Sequence, residues 1–344
     1  MIKKIRIKNF KCYGPKGADF NLAKINFIFG DNSAGKSTFL QFLQKVADQL
    51  DTFGSFDSEE FNRHLFRGES QKVEALFRVS STMGGESKDE VWTFRCPESG
   101  NEYEMISNGD KRRITRKDLD TILPVPKGAH HIIHKEALRI HGGQPHKSLG
   151  ELKMENIVNV ESNDLAIDYL DDIFERLEIP YCCVSSGDGI HDKYIRDLDF
   201  DMDIPLEDVG TGINGLVHLA FDLQEWQSGI LELEEPETNV NEEHMAPLAK
   251  VLVEEALKRE SGQLIVECHS KLMAIQLAAL VRDGTLSYYG KGGNEEPILS
   301  VIEVIKRPEG STAEPVYISP NGEIDWPTGF FPAERKLLQK ILGV

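Results

Sequence analysis

Residues 1–14, MIKKIRIKNFKCYG, alternate charged positions with Ile and Phe, the period-2 pattern of a strand with one buried face. Residues 25–29, INFIF, are nearly continuous in apolar character, as expected of a strand covered on both sides. The chain then breaks into GDNSAGKS. After it, Phe39, Leu40, Phe42, Leu43, Val46 and Leu50 recur near helical spacing, which predicts an amphipathic helix. EVWTFRC, residues 90–96, alternates like a hairpin strand. Two later apolar runs, residues 230–233 and 264–266, each end in acidic or histidine positions, and a helix is expected from near Ser270. Strands alternating with helices predict an α/β fold with a mostly parallel sheet. Residues 81–199 read as an inserted subdomain, acidic towards its end, between a body formed by 1–80 and 200–344. The insert lacks heptads, and there are no internal repeats or low-complexity tracts.

Composition changes this picture in three places. The chain has 344 residues, 40% hydrophobic and 28% charged, which suits a globular protein of one large domain with an insert. No stretch approaches the ~20 apolar residues of a membrane helix, and the charged amino-terminal strand is unlike a signal peptide. A cytoplasmic protein without membrane contact is expected. The five cysteines show no CxxC pairing, so reduced thiols are expected rather than a disulfide framework or a zinc site. The net charge of −18 excludes a whole-surface attraction to DNA, but it is uneven. Residues 161–208 hold fifteen Asp/Glu and three Lys/Arg, whereas residues 111–147 hold nine Lys/Arg, three Asp/Glu and five His. Arg112, Arg113, Arg116 and Lys117, with His130, His131, His134, His141 and His146, give that region a basic side. It could be a solvated surface, a partner dock or a weak nucleic-acid contact. The HHIIH run lacks a neighbouring carboxylate or cysteine that would complete a metal site.

The candidate chemistry sits at strand ends. GDNSAGKS, residues 30–37, fits G-x-x-x-x-G-K-[ST], a loop whose glycines let main-chain N–H groups converge on phosphate oxygens. Lys36 would neutralise the β- and γ-phosphates, Ser37 would offer a hydroxyl to Mg²⁺, and the helix that begins there aims its positive dipole end at the phosphates. GILELEEPETNVNEEH begins at Gly229. Glu234 suits a hard-oxygen role for the metal, Glu235 could orient or deprotonate an attacking water, and Pro236 ends the strand. Glu232 shares a face with Glu234 where an apolar residue is usual. An open strand face or an outlying acid would each account for it. His269, ending LIVECH, could bond a γ-phosphate or the lytic water.

The order strand–GxxxxGKS, then EEPE, then E-x-HS resembles the ABC-type ATPase superfamily. Within it, the sequence is most similar to the overcoming-lysogenization-defect and AAA-15-like bacterial ATPases, relatives of the chromosome-maintenance and DNA-repair ATPases. IRIKNFKCYG resembles their first strand. EEPETNVNEE resembles EEPExxLHP with Asn239 and Asn241 for the usual histidines, and VECHS resembles VETHS. DVGTGINGLVHLAF, from Asp208, resembles their DVGxGxSQ signature loop with Gly210 and Gly212 kept and Asn214 in place of serine. The tail YISPNGEIDWPTGFFPAE resembles that of an uncharacterised family of bacterial ATPases. The resemblance covers about 1–80 and 200–335.

The resemblance implies an ABC-type P-loop head with a mostly parallel sheet, an antiparallel β subdomain and an insert. It implies ATP and Mg²⁺ held by Gly30, Asn32, Ser33, Ala34, Gly35, Lys36, Ser37 and Thr38, with Ser37 and Glu234 on the metal and Glu235 and His269 catalytic. It also implies a homodimer or higher oligomer in which Gly210, Gly212 and Asn214 reach the nucleotide of the partner copy. The residues after 300 have too few clustered acids for a nuclease core. Action on a target would then come from a separately encoded effector, a nuclease or a toxin, in anti-phage defence. The alternatives are a low-turnover ATP-bound switch and a DNA-repair or chromosome ATPase acting on DNA.

Overall fold

A computed structural model describes residues 1–51, 74–83, 86–95, 104–107, 110–112, 164–184, 194–286 and 297–327. Its centre is a five-stranded sheet in the order β11-β12-β3-β13-β14. Strands β3 (Ile25–Gly30), β11 (Gly229–Glu234), β12 (Gly262–Glu267) and β13 (Leu299–Ile305) are parallel, and β14 (Thr312–Pro315) runs antiparallel on β13. Every residue of β3 and of β12 is buried, because both are interior strands with protein on both faces. Strand β11 alternates instead. It is an edge strand, with Leu231 and Leu233 in the main core and Ile230, Glu232 and Glu234 on the half-buried other face. That alternation accounts for Glu232, which stands on the less covered side of an edge.

A second sheet is antiparallel, in the order β2-β1-β4-β5-β6-β7. It contains β1 (Ile2–Lys8), β2 (Ala18–Asn21), β4 (Glu74–Met83), β5 (Glu86–Arg95), β6 (Glu104–Ser107) and β7 (Asp110–Arg112). β4 pairs directly with β1, and β5 with β4 along its whole length, so the expected boundary between residues 80 and 81 falls inside β4. The hairpin strand expected at EVWTFRC lies in β5, as far as Arg95. A third sheet joins β8 (Tyr181–Val184), β9 (Tyr194–Asp197) and β10 (Met202–Pro205), and β15 (Tyr317–Ile318) pairs with β16 (Ile324–Asp325).

Helices pack on both faces of the parallel sheet. On one side, α2 (Asp164–Arg176), α3 (Thr211–Glu225), α4 (Glu242–Lys258) and α5 (Lys271–Arg282) form the larger core with Ile25, Phe27, Leu231, Leu233, Leu264 and Val266. On the other, Phe39, Leu40, Phe42 and Leu43 of α1 (Lys36–Asp51) pack with β1, β2 and Ile28 of β3. There Phe20 stacks on Phe39 at 4.0 Å and Phe10 meets Phe42 edge-on at 5.2 Å. Two buried amides brace the sheets, Gln263 between them and Asn26 within the parallel one. Gln263 accepts from Ile2 N and donates to the carbonyls of Ile2 and Ala23. Asn26 exchanges hydrogen bonds with Ala23 and donates to Leu264 O. Trp326, in the YISPNGEIDWPTGFFPAE tail, packs edge-on against Phe29 at 5.7 Å and so covers the core beneath the phosphate loop. The rest of that tail from residue 328, and most of the basic region 111–147, lie outside the described residues. Among the described residues no helix is long and apolar enough to cross a membrane.

Candidate functional site

Three neighbouring strands, β11, β12 and β3, end side by side, with Glu234 level with Glu267 and Glu267 level with Ile28. This register brings together residues more than two hundred positions apart in sequence. β3 delivers Gly30, whose φ of +145° is in the glycine-favouring region, and a Cβ there would stand 2.4 Å from Val304 O. The loop closes with Ala34 N donating to Asp31 O at 3.1 Å, and Ser33 takes the left-handed conformation at φ +62°. Asn32 and Ser33 are exposed and Ala34 is buried. Tyr13 OH donates to Gly35 O at 2.6 Å, and a Cβ on Gly35 would meet Cys12 Sγ at 2.5 Å, so the first strand's loop braces the phosphate loop. Thr38 shares a hydrogen bond with Cys12, whose thiol burial pushes up.

Lys36 is 2% exposed. Its ammonium donates to the carbonyls of Gly30 and Asp31 at 3.1 Å each and lies 3.8 Å from Glu267 Oε1. Burial lowers its pKa, against the pull of Glu267, Glu235 and Asp31. Ser37 Oγ donates to Glu267 Oε1 at 2.8 Å. Glu267, the residue beside the Ser37 hydroxyl, is absent from the set read from the sequence. Burial pushes its carboxyl up to about 7, while Ser37 and Lys36 pull it down. It ends the buried strand GQLIVE, and only the pairing of β12 with β3 brings it to Ser37.

Glu235 follows β11 with φ at +49°, a conformation that costs a non-glycine residue on the order of 1–3 kcal/mol. Its N–H continues the ladder to Glu267 O at 2.9 Å, and Thr238 Oγ1 donates to its Oε2 at 3.3 Å. Glu235 Oε1 lies 3.0 Å from His269 Nε2. Burial and the Lys36 charge lower the His269 pKa, against the pull of Glu235 and Glu237, so the ring is held neutral near pH 7. A second residue missed from sequence is Glu237, the last acid of EEPE. It is buried, and its Oε1 accepts from His269 N at 2.5 Å and Ser270 N at 3.2 Å, fixing the turn that carries the imidazole. Ser270 then caps α5, its hydroxyl accepting from Met273 N at 3.3 Å.

Gly210 and Asn214 stand at the start of α3, which begins at Thr211. Among the described residues no atom lies within 4 Å of a Cβ built on Gly210, whereas one on Gly212 would be 2.1 Å from Asn239 O. The demand for glycine at 212 therefore arises inside the chain, against the turn after EEPE. Asn214 Nδ2 donates to Leu206 O at 3.4 Å, and its buried Oδ1 has no hydrogen-bond partner among the described residues.

The arrangement suits a triphosphate with its metal. An ammonium group, main-chain N–H groups and the N-terminus of α1 face one place, and a serine hydroxyl and carboxylates stand beside it. Ser37 Oγ and the neighbouring carboxylates of Glu234 and Glu267 are the hard-oxygen donors that a phosphate-bound Mg²⁺ takes. The residues present thus fit ATP–Mg²⁺.

Comparison with known proteins places the fold. The SMC head domain from Thermotoga maritima is similar in structure, with a TM-score of 0.54 at 17% identity, covering 92% of this chain and 99% of that one. An SmcHead bound to the C-winged helix domain of ScpA gives 0.58 at 16% identity, with 92% and 98% covered. A Pyrococcus furiosus Smc head domain with an extended coiled coil, bound to the C-terminal domain of ScpA, gives 0.55 at 15%, with 99% of both chains covered. None of the curated proteins matches the chain. The fold is that of the SMC head domains. The sequence model of the AAA domain matches residues 4–177, just over half of the chain, and the chain belongs to that family.

Proposed function

We propose that this ATPase binds ATP with Mg²⁺ at the tips of β3, β11 and β12 and hydrolyses it, with Glu235 as the general base. The observation that carries the proposal is the meeting of Glu235 with His269 at 3.0 Å, beside a Lys36–Ser37–Glu267 cluster. Gly30, Asn32, Ser33, Ala34, Gly35, Lys36, Ser37 and Thr38 form the phosphate cradle. Lys36 exchanges its bonds with loop carbonyls for phosphate oxygens. Ser37 and Glu234 hold the metal, Glu267 orients the Ser37 hydroxyl, and the bound Mg²⁺ supplies charge neutralisation on the phosphates. Glu235 takes the proton of the attacking water, and the neutral His269 holds Glu235 in place. Gly210, with open space around it, approaches the nucleotide of a second copy, so two chains close around two nucleotides. Closure signals to a separately encoded nuclease or toxin in anti-phage defence. A separately encoded partner, of whatever activity, accords with the two similar head domains solved with parts of ScpA.

Steady-state phosphate release tests the proposal. Glu235→Gln is expected to lower turnover by about 10²–10⁴-fold while nucleotide binding persists. Equal, background-level release from wild type and variant would leave only an ATP-bound switch. The likeness to SMC heads favours a second reading, a chromosome or repair ATPase acting on DNA. Salt-dependent duplex binding abolished by neutralising Arg112, Arg113, Arg116 and Lys117 would support it.

A further inference from the structure

We propose that Glu235, Glu267 and His269 form a binding site for a divalent transition-metal ion of the zinc and manganese class, distinct from the Mg²⁺ that accompanies ATP. One ligand atom from each of the three side chains lies within 4.8 Å of the other two. Donors about 2.1 Å from a common ion stand about 3.0–3.4 Å apart, so the three side chains close by at most about 1.8 Å when an ion binds. His269 Nε2 and Glu235 Oε1 are already at 3.0 Å. An independent observation points to a cation here. Glu267 is 1% exposed, and while its Oε1 is engaged by Ser37 and Lys36, its Oε2 is buried without a hydrogen-bond partner among the described residues. An acceptor in that state carries a desolvation cost that a coordinated ion removes.

The donor set selects the ion. Two carboxylates and an imidazole suit Zn²⁺ or Mn²⁺, whereas Mg²⁺ prefers an all-oxygen octahedron and retains its waters. The triad is pre-positioned by the main chain. Glu235 N bonds Glu267 O, and Glu237 holds His269 N, so the three donors sit on fixed backbone. An ion bound here occupies the Glu235 carboxylate. If Glu235 is the base proposed above, on which this consequence alone rests, the ion holds the head in a non-hydrolysing state.

The test uses the full chain freed of nucleotide and stripped with chelator. MnCl₂ is titrated and the free ion is counted by electron paramagnetic resonance. One Mn²⁺ per chain is expected, displaced by Zn²⁺, with affinity at least about 10-fold weaker in Glu267→Gln and in His269→Gln. The variants' thermal melts confirm that they are folded. Lys36→Ala removes the cation beside Glu267 together with nucleotide binding, and it is expected to keep the Mn²⁺ or bind it more tightly. Absence of Mn²⁺ binding by the wild type, wild-type affinity in both folded triad variants, or its loss in Lys36→Ala would overturn the inference. Its failure is separable from failure of the hydrolysis proposal. Glu235-dependent phosphate release with Mg²⁺ but no Mn²⁺ bound to the nucleotide-free chain sinks only the metal site. Mn²⁺ bound by a chain that releases no phosphate sinks only the hydrolysis.

Discussion

The carboxylate of Glu237 accepts hydrogen bonds from the N–H groups of His269 and Ser270, so this acid acts on the site through backbone rather than ligand. Glu237→Ala leaves two main-chain donors unpaired in a buried turn. It is expected to cost about 1–3 kcal/mol in denaturant unfolding, whereas Glu237→Gln, which keeps an acceptor, costs less. Equal losses from both variants would assign the effect to charge instead. Residues of this kind separate what the sequence makes legible from what it does not. Lys36 and Ser37 are legible because the loop that uses them is local, eight residues read in one glance. Glu267 and Glu237 are not, because their partners, Ser37 and His269, reach them only through the pairing of β12 with β3 and β11.

At the scale of elements, α3 is anchored at both ends within the chain. At its start, Gly212 lies against the Asn239 carbonyl. At its end, Arg259 of the α4 C-cap donates to Leu223 O and Trp226 O and lies over the Trp226 ring at 5.0 Å. Gly212→Ala therefore forces backbone apart and is expected to lower stability by about 1–3 kcal/mol, while Gly210→Ala changes it by less than about 0.5 kcal/mol. Chemical denaturation of the two variants checks the contrast. If Gly210 approaches a partner's nucleotide, Gly210→Ala lowers turnover despite its stability. The glycine pattern of DVGTG was readable, but the different demands on its two glycines were not, since Asn239 belongs to another element. The expected insert boundary at residue 81 had the same cause. EALFRVSSTM gives no local sign that it continues the β1 sheet, and only the β1–β4 register reveals it.

On the scale of the whole molecule, Glu255 ties the helical layer together. Its carboxylate receives Lys258, Arg176, Arg259 and Tyr169, from α2, α4 and the α4 C-cap. Despite the burial that opposes ionisation, these hydrogen bonds hold its pKa down to about 2. A depressed carboxylate stabilises the fold above its unfolded pKa, here by about 3 kcal/mol, and that stability is lost as pH falls from about 5 towards 2. Glu267, raised to about 7, acts in the opposite sense, and its contribution declines as pH rises from about 4.5 through 7. Unfolding measured across pH is expected to show an acid limb that flattens in Glu255→Gln and an additional decline towards neutrality that Glu267→Gln removes. The central claim is that three strand tips converge on one triphosphate. Its most direct test is a crystal structure of the Glu235→Gln chain with Mg²⁺ and ATP. The γ-phosphate is expected within hydrogen-bond reach of both Lys36 Nζ and His269, with the metal on Ser37. A nucleotide bound elsewhere, or one that touches the Gly30–Ser37 loop while His269 and Glu267 stand apart from it, would contradict the account.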